Sequence, residues 1–225
     1  MTTSGTSDFN LEFDDIIVEA YERCGIDVRD GYDMRTAMRS INLMFAEWAN
    51  RGLNLWTIEQ RQVTLETGVY QYTLPTDTVD ALSAVIRTNE GLSTQQDITV
   101  DRIGYAEYLH VPNKKTQSRP AQWFLQRTNP PKLFLYPAPD DTQTWIFRYY
   151  AVRRIQDAGT FTNTADVVFR FLPCLVAGVA YYLSVKKAPD RVQLLKAMYE
   201  EEFQRAANED RENSGYFAVP MYQSR

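Results

Sequence analysis

The chain has 225 residues, of which 44% are hydrophobic and 24% charged, and its net charge at pH 7 is −5. These totals permit a substantial core and exclude wholesale disorder. The basic clusters around Lys114 and Arg153 lack the interleaved aromatic residues that are typical of single-strand grooves. An acidic chain of this kind is a poor binder of phosphate backbones, so we expect no tight nucleic-acid binding.

A helical period governs residues 8–52. Apolar side chains recur at steps of three and four over residues 13–24, and Gly25 follows where a C′ glycine ends a helix. A second apolar stripe predicts a helix over residues 33–51, which Gly52 would end. Two helices with a short connection predict an αα-hairpin.

Over residues 55–155 the hydrophobic period changes to two. Alternating apolar residues predict a mostly antiparallel β region of about five or six strands, separated by Pro-rich breakers. The two strand candidates that flank Gly68 are predicted to form a hairpin. Residues 101–110 are predicted to form one short helix with Asp101 as its N-cap.

Helical character returns after a polar loop. Residues 167–185 are apolar on more than one face, which predicts a helix packed on several sides. Arg170, Pro173 and Ser184 interrupt this stretch, so we interpret it as a buried helix and not as a membrane span. A last amphipathic helix is expected to begin near Pro189 and to pair with the helix over residues 167–185.

The two helical pairs each need a partner for their apolar stripes, and together they predict an α+β fold. We expect a discontinuous bundle of about four helices from the N- and C-terminal parts, with an inserted antiparallel β region. The predicted divisions are a helical hairpin, an inserted β domain, a second helical hairpin and an extended C-terminal arm, at residues 1–54, 55–158, 159–213 and 214–225.

The search for chemistry finds no catalytic constellation. The chain has one histidine, His110, and no CxxC pair or glycine-rich phosphate loop, which argues against a metal site and a cofactor. Acidic runs such as Asp14-Asp15 and residues 200–202 lie on predicted solvated helix faces. We therefore predict a protein that is not an enzyme and binds neither metal nor cofactor.

Two further patterns concern the compartment. Cys24 and Cys174 each lie among apolar residues on a predicted helix, which predicts two buried, reduced thiols. The first ten residues are polar and lack an apolar h-region, so we expect no secretory signal and a protein made in the cytoplasm.

The segment after Asn213 carries several large apolar side chains. Such residues are costly to leave in water, so the segment is expected to dock either on its own domain or on a partner. The sequence alone leaves both alternatives open. The segment is the best candidate for a partner-binding site, with the residues Tyr216, Phe217, Val219, Pro220, Met221, Tyr222 and Arg225.

Four short motifs resemble those of head-to-tail adaptors of short-tailed phages, also called tail accessory or tail tubular proteins. These motifs are A-E-W followed by G-L, Y-x-L-P-x-D, R-P-x-x-W, and L-x-L-x-P-x-P, at residues 46–53, 72–77, 119–123 and 133–139. Each motif marks structure more than chemistry, and the resemblance extends from about Phe13 to Arg211.

The resemblance implies a structural virion protein at the head–tail junction, assembled in the host cytoplasm. Members of this family form rings, usually of about twelve copies, that dock under the portal, connect it to the tail nozzle or tube, and extend the DNA channel. The matching arm would be residues 216–225, inserted into portal clefts. Genomic double-stranded DNA would pass without sequence-specific binding, and no membrane would be involved.

A ring would also explain the unusually apolar helix over residues 167–185, because neighbouring copies can bury a spare face. The candidates for this packing between subunits are Phe171, Leu175, Val179 and Tyr182. Two alternatives stay open: a tail-completion or stopper protein of another phage type, and a virion-associated cell-wall hydrolase.

Overall fold

The computed structural model describes residue 5 and residues 11–28, 31–52 and 55–210. These residues form α1 (Phe13–Cys24), α2 (Gly31–Arg51), β1 (Ile58–Thr64), β2 (Gln71–Thr73), β3 (Thr78–Thr88), β4 (Gln96–Thr99), β5 (Asp101–Arg102), α3 (Tyr105–His110), β6 (Gln122–Gln126), β7 (Lys132–Tyr136), β8 (Ile146–Arg153), α4 (Leu172–Lys187) and α5 (Val192–Glu209). They divide into a helical unit, up to Asn50 and from Asp157 onwards, and a β unit, Arg51–Gln156. The predicted fold class, N- and C-terminal helices that pack together with β-sheets inserted between them in the sequence, is confirmed.

Helix α4 forms the centre of the helical unit. It packs against both α1 and α5, and nine of its 16 residues are buried. Among the described residues, the segment Phe169–Lys187 alone is long and apolar enough to cross a membrane. Of that apolar stretch, 56% is buried within the protein, as is common for a helix that contributes to a core.

The ends of α1 follow the sequence pattern. Gly25 has the positive φ of 72° predicted for a C′ glycine, and its N–H donates to the carbonyl of Glu22 at 2.8 Å. At the other end, the N–H groups of Phe13 and Asp14 donate to the carbonyls of Asn163 and Phe161. The loop before α4 therefore caps α1 through its backbone, in place of a side-chain cap.

Both cysteines lie in the helical unit, and both are buried. The Cys24 thiol donates to the carbonyl of Ala180 at 3.3 Å, which joins α1 to α4. Burial raises the pKa of this thiol, so the neutral form is favoured. The prediction that both thiols are buried is confirmed.

The β unit contains two four-stranded sheets, with strand orders β1-β8-β3-β4 and β2-β7-β6-β5. The predicted hairpin across Gly68 is wrong. β1 pairs antiparallel with β8 over seven residues, whereas β2 pairs with β7 in the other sheet. The turn at Gly68, with φ of 74°, carries the chain from one sheet to the other, and its N–H donates to the carbonyl of Pro139.

The region between β3 and β6 also differs from its prediction. The helix predicted from Asp101 begins only at Tyr105, because Asp101 and Arg102 pair in parallel with β6. The cap is formed by Glu107, whose carboxylate accepts the N–H of Gly104 at 2.9 Å. Strand β4, which no alternation indicated, pairs with the end of β3.

The apolar residues of both sheets form one buried cluster within the β unit. Trp123 of β6 and Phe147 of β8 meet edge to face, with ring centroids 5.9 Å apart. The family-like motifs supply several members of this cluster, among them Leu74, Trp123, Leu133 and Leu135. These motifs therefore contribute to the core of the β unit.

Candidate functional site

The residues predicted for packing between subunits lie inside the helical unit. Phe171, Leu175 and Val179 are completely buried within a single chain. Tyr182 is half-buried, and its hydroxyl donates to Glu47 Oε2 at 3.1 Å. Their own chain already encloses the first three, so a contact between copies along this segment would need other side chains. Phe169 and Val185, which are 66% and 58% exposed, meet that requirement.

The predicted portal-binding arm, Tyr216 to Arg225, lies outside the described residues. The structure does show where the described chain ends. α5 ends at Glu209, and the following Asp210 is buried and pairs with Arg170 at 2.5 Å. This ion pair holds the last described residue beside the loop that leads into α4.

Two open grooves mark the surface of the helical unit. The larger has a volume of about 1020 Å³ and lies between α1 and the start of α4, with the lining residues Leu11, Asp15, Ile16, Glu19, Arg23, Phe169, Leu172, Pro173 and Val176. The smaller, about 640 Å³, lies between the start of α2 and the 159–161 loop. We call the larger one the α1–α4 groove.

A hydrogen-bonded network joins α2 to α4 and α5. Trp48 Nε1 donates to the Tyr199 hydroxyl at 2.8 Å, and that hydroxyl donates to Glu47 Oε2 at 2.8 Å. Tyr182 donates to the same carboxylate oxygen. The Glu-Trp pair of the A-E-W motif thus holds the bundle together, a role that helical spacing alone does not reveal.

Several acidic side chains have structural partners, among them Glu201 of the acidic run in α5, which pairs with Arg205. Asp140 accepts hydrogen bonds from Thr142 Oγ1 at 2.7 Å and from Trp145 Nε1 at 2.9 Å, and these donors lower its pKa. His110 is exposed at the end of α3. Among the described residues, no group of three or more His, Cys, Asp and Glu side chains could hold a metal ion.

One cation of each basic cluster is engaged within the fold. Lys114 donates to the carbonyls of Leu109 and Val111, and its ammonium lies 5.3 Å from the centre of the Tyr108 ring. Arg153 pairs with Glu59. Cations engaged in this way are poorly placed to follow a phosphate backbone.

Asp77, the last residue of the Y-x-L-P-x-D motif, anchors a loop to β1. Arg61 donates to both of its carboxylate oxygens, at 2.8 and 2.6 Å. This bidentate contact lowers the pKa of Asp77 and raises that of Arg61. The motif thus combines a core residue, Leu74, with an ion pair to β1, which is an edge strand of its sheet.

We predict that the Asp77–Arg61 pair makes the β unit sensitive to acid. A carboxyl whose pKa is lowered by folding stabilises the protein above its unfolded pKa of about 3.9, and this stabilisation is lost as the pH falls through the lower, folded pKa. Asp77→Asn should therefore lose less stability than wild type between pH 5 and pH 2. Thermal unfolding at a series of pH values measures this difference, with Asp141→Asn, an exposed loop carboxylate, as control. Parallel pH profiles for wild type and Asp77→Asn would contradict the prediction.

An aromatic cluster covers the outer side of the second sheet. The Tyr108 ring of α3 lies 5.6 Å from Phe124 and 5.3 Å from Phe134, measured between ring centroids. Tyr105 and Leu109 of the same helix are 66% and 63% exposed. This surface of the β unit is apolar and open, and we call it the α3 face.

No curated protein matches the chain. A family model, that of the SU10 adaptor protein, matches residues 12–221. This range includes the motifs that gave rise to the resemblance and nearly all the described residues. The chain therefore belongs to the SU10 adaptor protein family, a family of phage head–tail adaptors.

Proposed function

We propose that this chain forms a ring of about twelve copies that docks under the portal and connects it to the tail nozzle or tube. The observation that carries the proposal is the family match over residues 12–221. Membership of an adaptor family implies a structural, non-enzymatic component of the phage virion. In the proposed ring, the DNA channel is extended at the head–tail junction, and the genome passes without sequence-specific binding.

Exposed apolar side chains on the helical unit support an assembling protein. Large apolar side chains at the surface are available for contacts between subunits. The helical unit exposes more than half the surface of Tyr32, Leu43, Phe169, Val185 and Leu194. In a closed ring each subunit presents two different faces to its neighbours, and residues of this kind suit such an interface.

The β unit is proposed to face the next tail component. Trp123 and Trp145 are buried in the core and are not available for this contact. Tyr105 is exposed beside Leu109 on the α3 face and is available for it. Aromatic and aliphatic groups of this kind are typical anchors of protein interfaces.

The C-terminal arm is proposed to bind the portal. Its alternating large side chains suit strand addition or insertion into a groove, where the backbone supplies affinity and the side chains supply specificity. The helix before it ends at Glu209, so truncation after Asn213 removes the arm and leaves α5 intact. The arm can therefore be tested apart from the bundle.

The test is the mass and sedimentation of the protein mixed with portal rings of its own phage. We expect full-length chain to form a ring of defined stoichiometry on the portal, and the chain truncated after Asn213 to bind much more weakly. Tyr105→Ser, on the α3 face, is the matched control and should bind the portal like wild type. If full-length protein ignores the portal, the proposed position is wrong, and co-purification with other tail components would favour a tail-completion role.

A further inference from the structure

The α1–α4 groove is apolar along its floor and charged along one rim. Ile16 and Val176 form buried parts of the floor, whereas Leu11 and Phe169 leave 38% and 66% of their surfaces exposed beside it. On the rim, Glu19 is paired with Arg23 at 2.8 Å. A groove with this floor suits an extended segment that carries large apolar side chains.

The described chain ends close to this groove. Asp210 is paired with Arg170, and Arg170 follows directly after Phe169 of the groove. From Asp210 to Tyr216 the chain has six residues, which can span at most about 20 Å. The apolar part of the arm is therefore tethered within reach of the Phe169 end of the groove.

The composition of the arm matches the groove. Residues 214–222 have no charged side chain, and five of the nine are large and apolar: Tyr216, Phe217, Val219, Met221 and Tyr222. The N-terminal ten residues also lead to the groove, at Leu11, but they are mostly polar and suit an apolar floor poorly. Arg225, near the end of the arm, would find an acidic partner in Asp15 on the rim.

We propose that residues 214–222 occupy the α1–α4 groove of their own chain in the free protein. The arm would then be held on its own subunit until the portal competes for it. Docking within one chain needs no portal and can be tested in the isolated protein. The competition step rests on the proposed function.

The first test locates the arm by paramagnetic relaxation. A spin label is attached at Met221→Cys in full-length protein with labelled methyl groups, and unmodified protein reports any labelling of the buried Cys24 and Cys174. We expect broadening of the methyl signals of Leu11, Ile16 and Val176, with Leu43 unaffected as a control. Absence of broadening at the groove would overturn the proposal.

A mixing experiment distinguishes the chain's own groove from that of a second copy. Spin-labelled protein without methyl labels is mixed with methyl-labelled wild type, so that only contacts between molecules cause broadening. We expect none at the groove. Broadening in this mixture would show that the arm binds a neighbouring copy, which contradicts docking within one chain.

The second test opens the groove. Phe169→Ser and Leu11→Ser should increase the rate of chymotrypsin cleavage after Tyr216 or Phe217 by roughly tenfold, because the arm spends less time docked. Leu43→Ser, an exposed position on α2 away from the groove, is the control for general loosening. Equal cleavage rates in the groove variants and wild type would overturn the proposal. Portal binding measured on the same variants reports separately on the proposed function.

Discussion

Trp48→Ala is expected to lower the free energy of unfolding by about 3–5 kcal/mol, the usual cost of removing a buried tryptophan. The Trp48 ring is completely buried and lies 5.6 Å from Phe171 and 6.1 Å from Phe203, measured between centroids. Its loss leaves a cavity between α2, α4 and α5, and the Tyr199 hydroxyl loses a donor. Urea unfolding followed by circular dichroism of the helices measures the effect.

Tyr199→Phe separates the contribution of the hydrogen-bonded network to stability from that of side-chain packing. This change keeps the ring and removes only the hydroxyl between Trp48 and Glu47. The expected cost is about 1–3 kcal/mol, since buried polar groups lose their partners. If Tyr199→Phe were as costly as Trp48→Ala, the explanation by cavity formation would be wrong.

Gly178→Ala is expected to destabilise the helical unit, although alanine is the better helix former. A Cβ atom at Gly178 would lie 2.8 Å from Tyr199 Cε2 and would also overlap the sulfur of Met44. Overpacking of this kind costs about 1–3 kcal/mol, against a gain in helix propensity of about 1 kcal/mol. Thermal unfolding of the variant should therefore show a lower melting temperature.

Gly31→Ala is the matched control for this prediction. Gly31 begins α2, and a Cβ atom there would meet no other atom within 4 Å. The same substitution should therefore be neutral or slightly stabilising. Similar effects at both positions would show that close packing at Gly178 is not the cause.

The helices were predictable because their signals are local. Apolar residues at steps of three and four, with a C′ glycine, indicated α1 within the chain itself, and Gly25 takes the expected left-handed conformation. The start of α2 was placed two residues late, since Gly31 and Tyr32 carry no helical signal of their own. Helices can be predicted from neighbouring residues because their hydrogen bonds join residues that are close in the sequence.

Strand pairing was less predictable because it depends on residues far apart in the chain. Alternation indicated β1 and β2, but not that β1 pairs with β8 almost ninety residues later. A turn glycine such as Gly68 serves a hairpin and a crossing between sheets equally well. The choice is made by burial of the shared core, which brings Trp123 and Phe147 together.

The candidate functional residues also differ in whether local sequence or long-range packing determines them. The sequence by itself determined the fold class, the apolar arm and the motifs of the family, because each depends on composition and spacing. Only the tertiary structure decided that Phe171, Leu175 and Val179 are enclosed by their own chain, that Glu47 and Trp48 join three helices, and that a groove lies between α1 and the start of α4. These features arise where distant segments meet, and no local pattern in the chain specifies which side chains will face each other there.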